Sequence, residues 1–476
     1  MVATASEPSG RFAVFENGQG VECRGALSRF SRHSVVFEIS PLDGGLRTSE
    51  VLKDFSILCD DRKLYSGRAV ITSFVNTGLA TVCEASLEDS WDNPEAMWPA
   101  GEVELRNEFG AFIQEWQKLY RVLPEFKATI ADFQTFLTDL RLWLEQLELK
   151  LRSSTAATPP ELQASVAAQL SAPVVNAIDG FIVRFEEIAS RLEPEVGPIH
   201  RLYLRRQLHP LLLCSPFAHR TFKKPLGYAG DYEVVNMMMR PPHEGGTIFA
   251  RIINAWLLGQ APVLAHQNRI KYLKRTLLEE AARAAAQGRR LRILNVGCGP
   301  ALEVQEFMRE QPVSNQLDFD LLDFNEDTLR DLRAWLERIQ HEHHRQNRLR
   351  FIKKSVYQLL KEGGRMASGA RQYDLVYCAG LFDYLSDQVC ERLLSILYDL
   401  LAPGGLLLAT NVSDALNASR PFRYSLEYIL DWHLIYRDGP ALRALAPANA
   451  APDKVKVLCE DTGVNVFLET RKANDV

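Results

Sequence analysis

One turn limits the fold of this chain more than any other stretch. The apolar run LRILNV leads into NVGCGPALE, Asn295 to Glu303, and a helical pattern follows. Glycines at 297 and 299 let the backbone turn sharply and approach a ligand closely. The helix start beyond them offers N–H groups without an intrahelical partner. A strand that passes through such a turn into a helix opens an α/β unit. The downstream pattern agrees. DFDLLD, LRFIKK, YDLVYC and GLLLATN alternate with helical stretches, so residues 289–476 read as a Rossmann-like parallel sheet covered on both faces. KVKVLCED and VNVFLETRK lie close together around Thr462 and Gly463, which predicts a terminal hairpin and an antiparallel last strand.

A dinucleotide fingerprint would place a third glycine where Leu302 stands, which argues against a nicotinamide cofactor. The next strand ends at Asp323, 24 positions after Gly299. An acid there can accept hydrogen bonds from both ribose hydroxyls of a nucleoside. Its plain alternative is an acid near the cap of a helix starting at about Glu326.

Two other segments precede this one. Residues 1–100 read as β: VVFEIS, SILC and RAVITSFVN are short runs divided by turn residues such as PLDGG, and they suit a small barrel or sandwich closed by WDNP, Trp91 to Pro94. Residues 101–288 follow a helical period from Leu105 through Phe109, Phe112, Trp116 and Leu123. Further helices are predicted over 126–151, 161–171, 174–192, 197–213, 247–258 and 262–287, with SSTAATPP as a loop. Their aromatic stripes are core or bundle seams. PLGYAGDYE, Pro225 to Glu233, joins two helical regions. Its glycines, with Tyr228, Asp231 and Tyr232, suit a lid over a cofactor as well as a tightly packed loop.

Composition removes several classes. Hydrophobic residues are 46% and charged residues 24%, the balance of a globular chain. A net charge of −5 lacks the basic footprint needed to grip nucleic acid. Eight cysteines are scattered with no CxxC pair, which fits reduced cytoplasmic thiols rather than disulfides or zinc. His341, His343 and His344 lie in a polar run that reads as a solvated helix end, so no metal is expected. The opening MVATASEPSG has neither the basic start nor the apolar stretch of a signal peptide, and no run reads as a membrane span.

On these residues the chain over 289–476 resembles a class I S-adenosylmethionine-dependent methyltransferase. The resemblance rests on the glycine loop, Asp323, YDLVYCAGLFDYL, LAPGGLLLATN and the final hairpin. It implies a seven-stranded sheet with the last strand reversed. By position, Asn295 stands where an acid is usual, and Gly297 and Gly299 would flank the methionine part of S-adenosylmethionine. Asp323 would hold the ribose, Ser355 and Val356 would border the adenine, and Cys378 and Ala379 would lie near the sulfonium. No asparagine- or aspartate-Pro-Pro-aromatic motif follows the fourth strand, which weakens amine methylation.

KPLGYAGDYEVVNMM together with DWHLIYRD, Asp431 to Asp438, resembles the 3-hydroxypalmitic acid methyl ester synthase family over roughly residues 195–476. That resemblance implies a methyl ester made on a hydroxy fatty acid as a signal for quorum sensing. Tyr228, Asp231 and Asp383 would then serve the reaction and Arg437 would neutralise the substrate carboxylate. DWHLIYRD would be part of a substrate-facing helical insertion, with Trp432 and Tyr436 lining an acyl pocket and His433 structural. Residues 1–100 resemble a degenerate PilZ domain. Arg24, Arg29 and Arg32 are out of register with the cyclic diguanylate motif, and Glu38, Ser40 and Asp43 alter its acid-serine-glycine turn. Cyclic diguanylate binding is therefore not expected. The leading function is carboxyl O-methylation of a small acyl substrate. The alternatives are methylation of a protein or another small molecule, and a signalling adaptor that senses the cofactor without turnover. Nothing in the pattern specifies an oligomer.

Overall fold

The structure, a computed structural model, describes residues 11–17, 20–31, 33–39, 46–59, 62–76, 81–89, 109–110, 113, 122–154, 160–367, 372–413 and 421–474. Most of the predicted helix from Leu105 to Leu123, the turns PLDGG and WDNP, Arg32, Ser40 and the loop before Pro160 lie outside them. The chain forms two compact units. One comprises 1–229, 243–253 and 423–433, and the other comprises 230–242, 254–422 and 434–476.

In the first unit, alternating apolar residues build six antiparallel strands: β1 (Arg11–Glu16), β2 (Glu22–Phe30), β3 (Ser34–Ile39), β4 (Val51–Cys59), β5 (Arg62–Asn76) and β6 (Thr81–Leu87). They close into a barrel in the order β1-β2-β3-β6-β5-β4. Closure leaves no open sheet edge. Phe15, Phe37, Phe55 and Tyr65 fill the interior at ring-centre spacings of 5.3 to 6.2 Å. Phe37 passes over Gly25, where a Cβ would come within 2.8 Å of its ring.

The helices of this unit are α1 (Pro124–Ser154), α2 (Pro160–Ala189), α3 (Gly197–Leu212) and α4 (Pro216–Lys223). Two separate helices were expected over 161–171 and 174–192, but α2 is continuous through Pro173. An internal proline costs about 3 kcal/mol. The apolar face along α2 outweighs that cost by packing on α1, with Phe133 stacked on Phe181 at 5.2 Å and Phe126 against Phe185 at 5.9 Å. The expectation of no membrane-length apolar run also needs correction: Glu161–Ala189 reaches a mean hydropathy of 1.5 and is long and apolar enough to cross a membrane. Its alanines, valines and isoleucines are spread among Ser, Gln and Asn, so no contiguous greasy run marks it.

DWHLIYRD corrects a further expectation. Residues 431–438 are not helical. They follow the short helix α12 (Arg423–Ile429), whose ends are both held by side chains. Glu186 accepts from Tyr424 N, Ser425 N and the Ser425 hydroxyl at its start. Arg205 donates to the carbonyls of Glu427 and Tyr428 at its end. A negative group at the start and a positive one at the end match the helix dipole. The chain then turns through Asp431 at a φ of +55°. The fully buried Asp431 carboxylate accepts from Arg205 at 2.8 Å and Lys224 at 3.0 Å. Glu88 at the end of the barrel pairs with Arg68 at 2.7 Å and with Arg205. Ser49 exchanges hydrogen bonds with the backbone of His433. The buried His433 imidazole lies against Arg201 at 3.1 Å and Asp431 at 3.4 Å.

In the second unit the helices begin with α5 (Tyr232–Met239) and α7 (Ala261–Ala286), separated by α6 (Ile248–Leu258), which passes from the first unit to the second. Helix α5 starts inside the GYAGDYE phrase, and α6 and α7 follow it before the sheet. The strands are β7 (Leu291–Val296), β8 (Leu317–Asp323), β9 (Arg348–Lys353), β10 (Tyr373–Cys378), β11 (Leu401–Val412), β12 (Val455–Cys459) and β13 (Asn465–Arg471). Their order is β12-β13-β11-β10-β7-β8-β9, with β13 antiparallel to both neighbours. This is the predicted seven-stranded sheet with a reversed last strand. Helices α8 (Leu302–Glu310) and α9 (Glu326–Glu342) cover one face with α7, and α10 (Val356–Ala367), α11 (Asp387–Asp399) and α13 (Gly439–Ala444) cover the other.

The Asp431 cluster yields a stability prediction. Its cations hold the Asp431 carboxyl well below the usual carboxylate range. A depressed folded value stabilises the fold above the unfolded value of about 4, and that stabilisation is lost as pH falls through the folded value. Asp431→Asn leaves two buried cations undercompensated and is expected to cost about 3–5 kcal/mol. Urea denaturation at neutral pH should show the loss, and the wild-type and variant curves should converge in acid.

Candidate functional site

The order of the sheet reverses between β7 and β10, and ligands of open α/β sheets bind beyond the carboxyl ends of strands at such a point. The glycine loop leaves β7 there. Gly297 N and Cys298 N both donate to the Leu322 carbonyl, at 2.9 and 3.0 Å. Gly297, Gly299 and Ala301 all have positive φ, at +66°, +51° and +44°. Glycine adopts this conformation without strain. A Cβ built on Gly299 would meet nothing within 4 Å, so the loop presents open space on that side.

Asp323 ends β8 beside this loop. One carboxylate oxygen accepts from Gly299 N at 3.0 Å and the other from Asn325 N at 2.9 Å. The cap of α9 is Asn325, which accepts from Thr328 N. The helix-cap alternative for Asp323 therefore gives way to a carboxylate that ties the loop to the second strand.

Below the loop, Asn295 turns away from any open space. Its amide donates to Glu303 at 3.0 Å, and the Tyr377 hydroxyl donates to the same oxygen at 2.7 Å. Burial raises the carboxyl of Glu303 above its usual range. The acid absent at 295 thus stands in the first turn of the loop's own helix. Sequence reading quoted Glu303 without assigning it a role; the pairing of an amide at 295 with an acid at 303 was the available signal.

Ser355 stands at the start of α10. Ser355 N donates to the Gln358 side chain at 2.8 Å and Gln358 N donates to the Ser355 hydroxyl at 3.3 Å. This reciprocal pair caps α10. The half-buried Val356 packs against the core on that face. Cys378 is fully buried at the end of β10, and burial pushes its thiol up, away from a reactive thiolate. Ala379 follows, half-buried, and Gly380 N donates to the Thr410 hydroxyl.

Asp383 sits just beyond, buried, accepting from Val412 N while its own carbonyl accepts from Ile435 N. Burial raises its carboxyl. Arg437 corrects the sequence reading. It is buried, and its five N–H groups go to Asp387, the Asn411 side chain and the carbonyls of Phe382 and Leu385. A guanidinium so engaged has no donor left for a substrate carboxylate. Asp231 is the cap of α5, accepting from Glu233 N and Val234 N. Tyr228 lies half-buried in the first unit after Gly227, whose carbonyl accepts from Val51 N of the barrel.

Sequence reading also missed Arg269 on α7. Its guanidinium lies against Gly380, where a Cβ would come within 2.9 Å of both terminal nitrogens. It feels the charges of Asp383 and Glu303. The available signal was His266 and Arg269 three positions apart, on or beside the apolar stripe of Val263, Ile270, Leu273 and Leu277.

Residues 294–407 match the family model described as a methyltransferase domain. No curated protein matches the chain. Solved structures similar to it include a possible exported protein from Bordetella parapertussis, at 16% identity and a TM-score of 0.42, covering 67% of this chain and 100% of that one. Magnesium protoporphyrin IX methyltransferase from Synechocystis with bound S-adenosylhomocysteine shows 12% identity and a TM-score of 0.30, over 44% of this chain and 85% of that one. The N-methyltransferase NodS from Bradyrhizobium japonicum shows 13% and 0.27, over 44% and 98%. Residues 294–407, within the second unit, are thus similar to a methyltransferase domain.

Asp323→Ala removes the acceptor that holds Gly299 N and Asn325 N. Each such bond is worth about 1.5–3 kcal/mol. Calorimetry should show S-adenosylhomocysteine affinity falling by at least about tenfold in a folded protein; unchanged affinity would remove Asp323 from the site. Arg437→Ala should lower the thermal midpoint sharply, since four acceptors lose a buried partner, and leave the substrate constant of any surviving enzyme unchanged.

Proposed function

We propose that the methyltransferase domain esterifies the carboxyl group of a small apolar acid, with a hydroxy fatty acid as the leading candidate. The observation that carries this reading is the commitment of the acids around the end of β10. Asp383 accepts from Val412 N, Glu303 accepts from Tyr377 and Asn295, and burial raises both carboxyls. Both are held by donors of the fold itself, so this reading assigns no general base to a hydroxyl or amine. A carboxylate needs none, because with a pKa near about 4 it is already ionised at neutral pH.

Bound S-adenosylmethionine supplies an activated methyl group. The residues fit it: the space over Gly299 is open, and Asp323 stands beside that space as the acceptor for ribose hydroxyls. The chain's own task is then alignment and exclusion of water rather than proton transfer. Gly380, fixed through Thr410, and the buried Asp383 backbone, fixed through Ile435, make a stiff wall for that purpose.

The barrel is proposed as a degenerate regulatory or docking module. Arg24 lies 4.0 Å from the centre of the Phe12 ring, a cation–π contact on its own domain. The full chain is expected to bind cyclic diguanylate weakly or not at all at physiological salt.

The enzyme should transfer a labelled methyl group to a fatty acid in a panel of acids, alcohols and peptides, with homocysteine production confirming turnover after hydrolysis of the product nucleoside. Affinity should rise with chain length by about 0.8 kcal/mol per buried methylene until the pocket is full. Labelling of a protein glutamate or a phenol with no labelled fatty acid would overturn the substrate class.

A further inference from the structure

We propose that Arg269, oriented by His266, is the carboxylate-binding residue at the carboxyl end of β10; the inference rests on the methyltransferase reading above. Arg269 differs from several arginines of its unit. Arg289, Arg350, Arg437 and Arg471 each ion-pair with a carboxylate. Among the described residues no carboxylate lies within 4 Å of Arg269. Among those residues, its guanidinium makes one hydrogen bond, from Nη2 to His266 Nδ1, at 2.7 Å.

That partner does not neutralise it. His266 is buried, and burial with the neighbouring guanidinium holds its imidazole well below the ordinary value. It is therefore neutral and accepts through Nδ1, which puts its proton on Nε2. Nε2 is itself buried with no hydrogen-bond partner. The pair thus presents a full positive charge, unused guanidinium donors and an orphaned buried nitrogen beside the end of β10. Leaving buried polar groups unsatisfied is costly, and in native proteins such groups commonly mark a function.

Gly380 makes the arrangement possible. Its φ is +86°, and the absence of a side chain lets the guanidinium lie on the backbone immediately after Cys378 and Ala379. A planar fork of donors matches a carboxylate, which accepts two parallel N–H bonds. A more highly charged phosphate would be repelled by Glu303 and Asp383, both near enough to act on Arg269.

Two carboxylates would reach this place: the amino-acid end of the cofactor and the acyl acceptor. Calorimetry on the full chain with S-adenosylhomocysteine and with methylthioadenosine, which lacks the amino-acid end, distinguishes them. If the cofactor is the source, Arg269→Gln lowers S-adenosylhomocysteine affinity by about tenfold or more and leaves methylthioadenosine unchanged. If the acceptor is the source, both affinities hold and the KM for 3-hydroxypalmitic acid rises by about tenfold or more with kcat little changed. Arg269→Lys, which keeps the charge and loses the fork, should recover part of either loss. The proposal is overturned if both affinities and the KM stay within about twofold of wild type in either variant that folds. Wild-type protein that binds neither nucleoside would instead overturn the methyltransferase reading.

Discussion

One carboxylate sets the geometry on which the site depends. Asp323 fixes the glycine loop through Gly299 N, the entry to α9 through Asn325 N and, through its own carbonyl, the turn after β9 at Lys354 N. Three connections that leave the carboxyl ends of β7, β8 and β9 are thereby referred to a single residue. Because Asp323 is buried, each of these hydrogen bonds is costly to lose. The anchor bears on a loop with a run of positive φ values at 297, 299 and 301. Ala301 in particular bears a conformation that side chains disfavour.

The layer beneath the loop obeys the same rule. Glu303 is an acid in the interior, tolerable because Tyr377 and Asn295 both donate to it. Burial favours its neutral form and the two donors favour the charged one. An amide at 295 is what this arrangement needs, since a second acid there would face Glu303 across a buried gap. The departure at 295 from the usual acid is therefore coupled to Glu303 and leaves the loop intact.

Period and turn chemistry made the sheet, its reversed last strand and the barrel legible, because each depends on alternation of apolar residues that tertiary contacts reinforce. Where contacts over long separations decide, the sequence reading failed. Pro173 marks a break locally, but the seam of Phe133, Phe181, Phe126 and Phe185 carries the helix through it. DWHLIYRD has helix-compatible spacing, but Asp431 is drawn to Arg205 and Lys224, more than 200 positions away. Ser355 and Gln358 could have been read as a capping pair from sequence alone, and the expected adenine contact obscured that plainer signal.

Arg437 and Arg269 show why residue type cannot assign a role. Both are arginines near Asp383, and the sequence marked the first because it stands in an aromatic-rich phrase. Arg437 donates to carbonyls, an amide and a carboxylate that together consume its hydrogen-bonding capacity, which makes it a brace between β11, α11 and the segment after β10. Arg269 donates to a neutral imidazole and keeps its charge. The first unit confirms the distinction from the other side, since the buried Asp431 is answered by cations and the buried Glu186 by the start of a helix. A charge that the fold has compensated holds the fold together. A buried charge with unused donors and, among the described residues, no carboxylate in ion-pair contact remains costly until something binds, and that cost is the physical reason to look for a ligand at Arg269 rather than at Arg437.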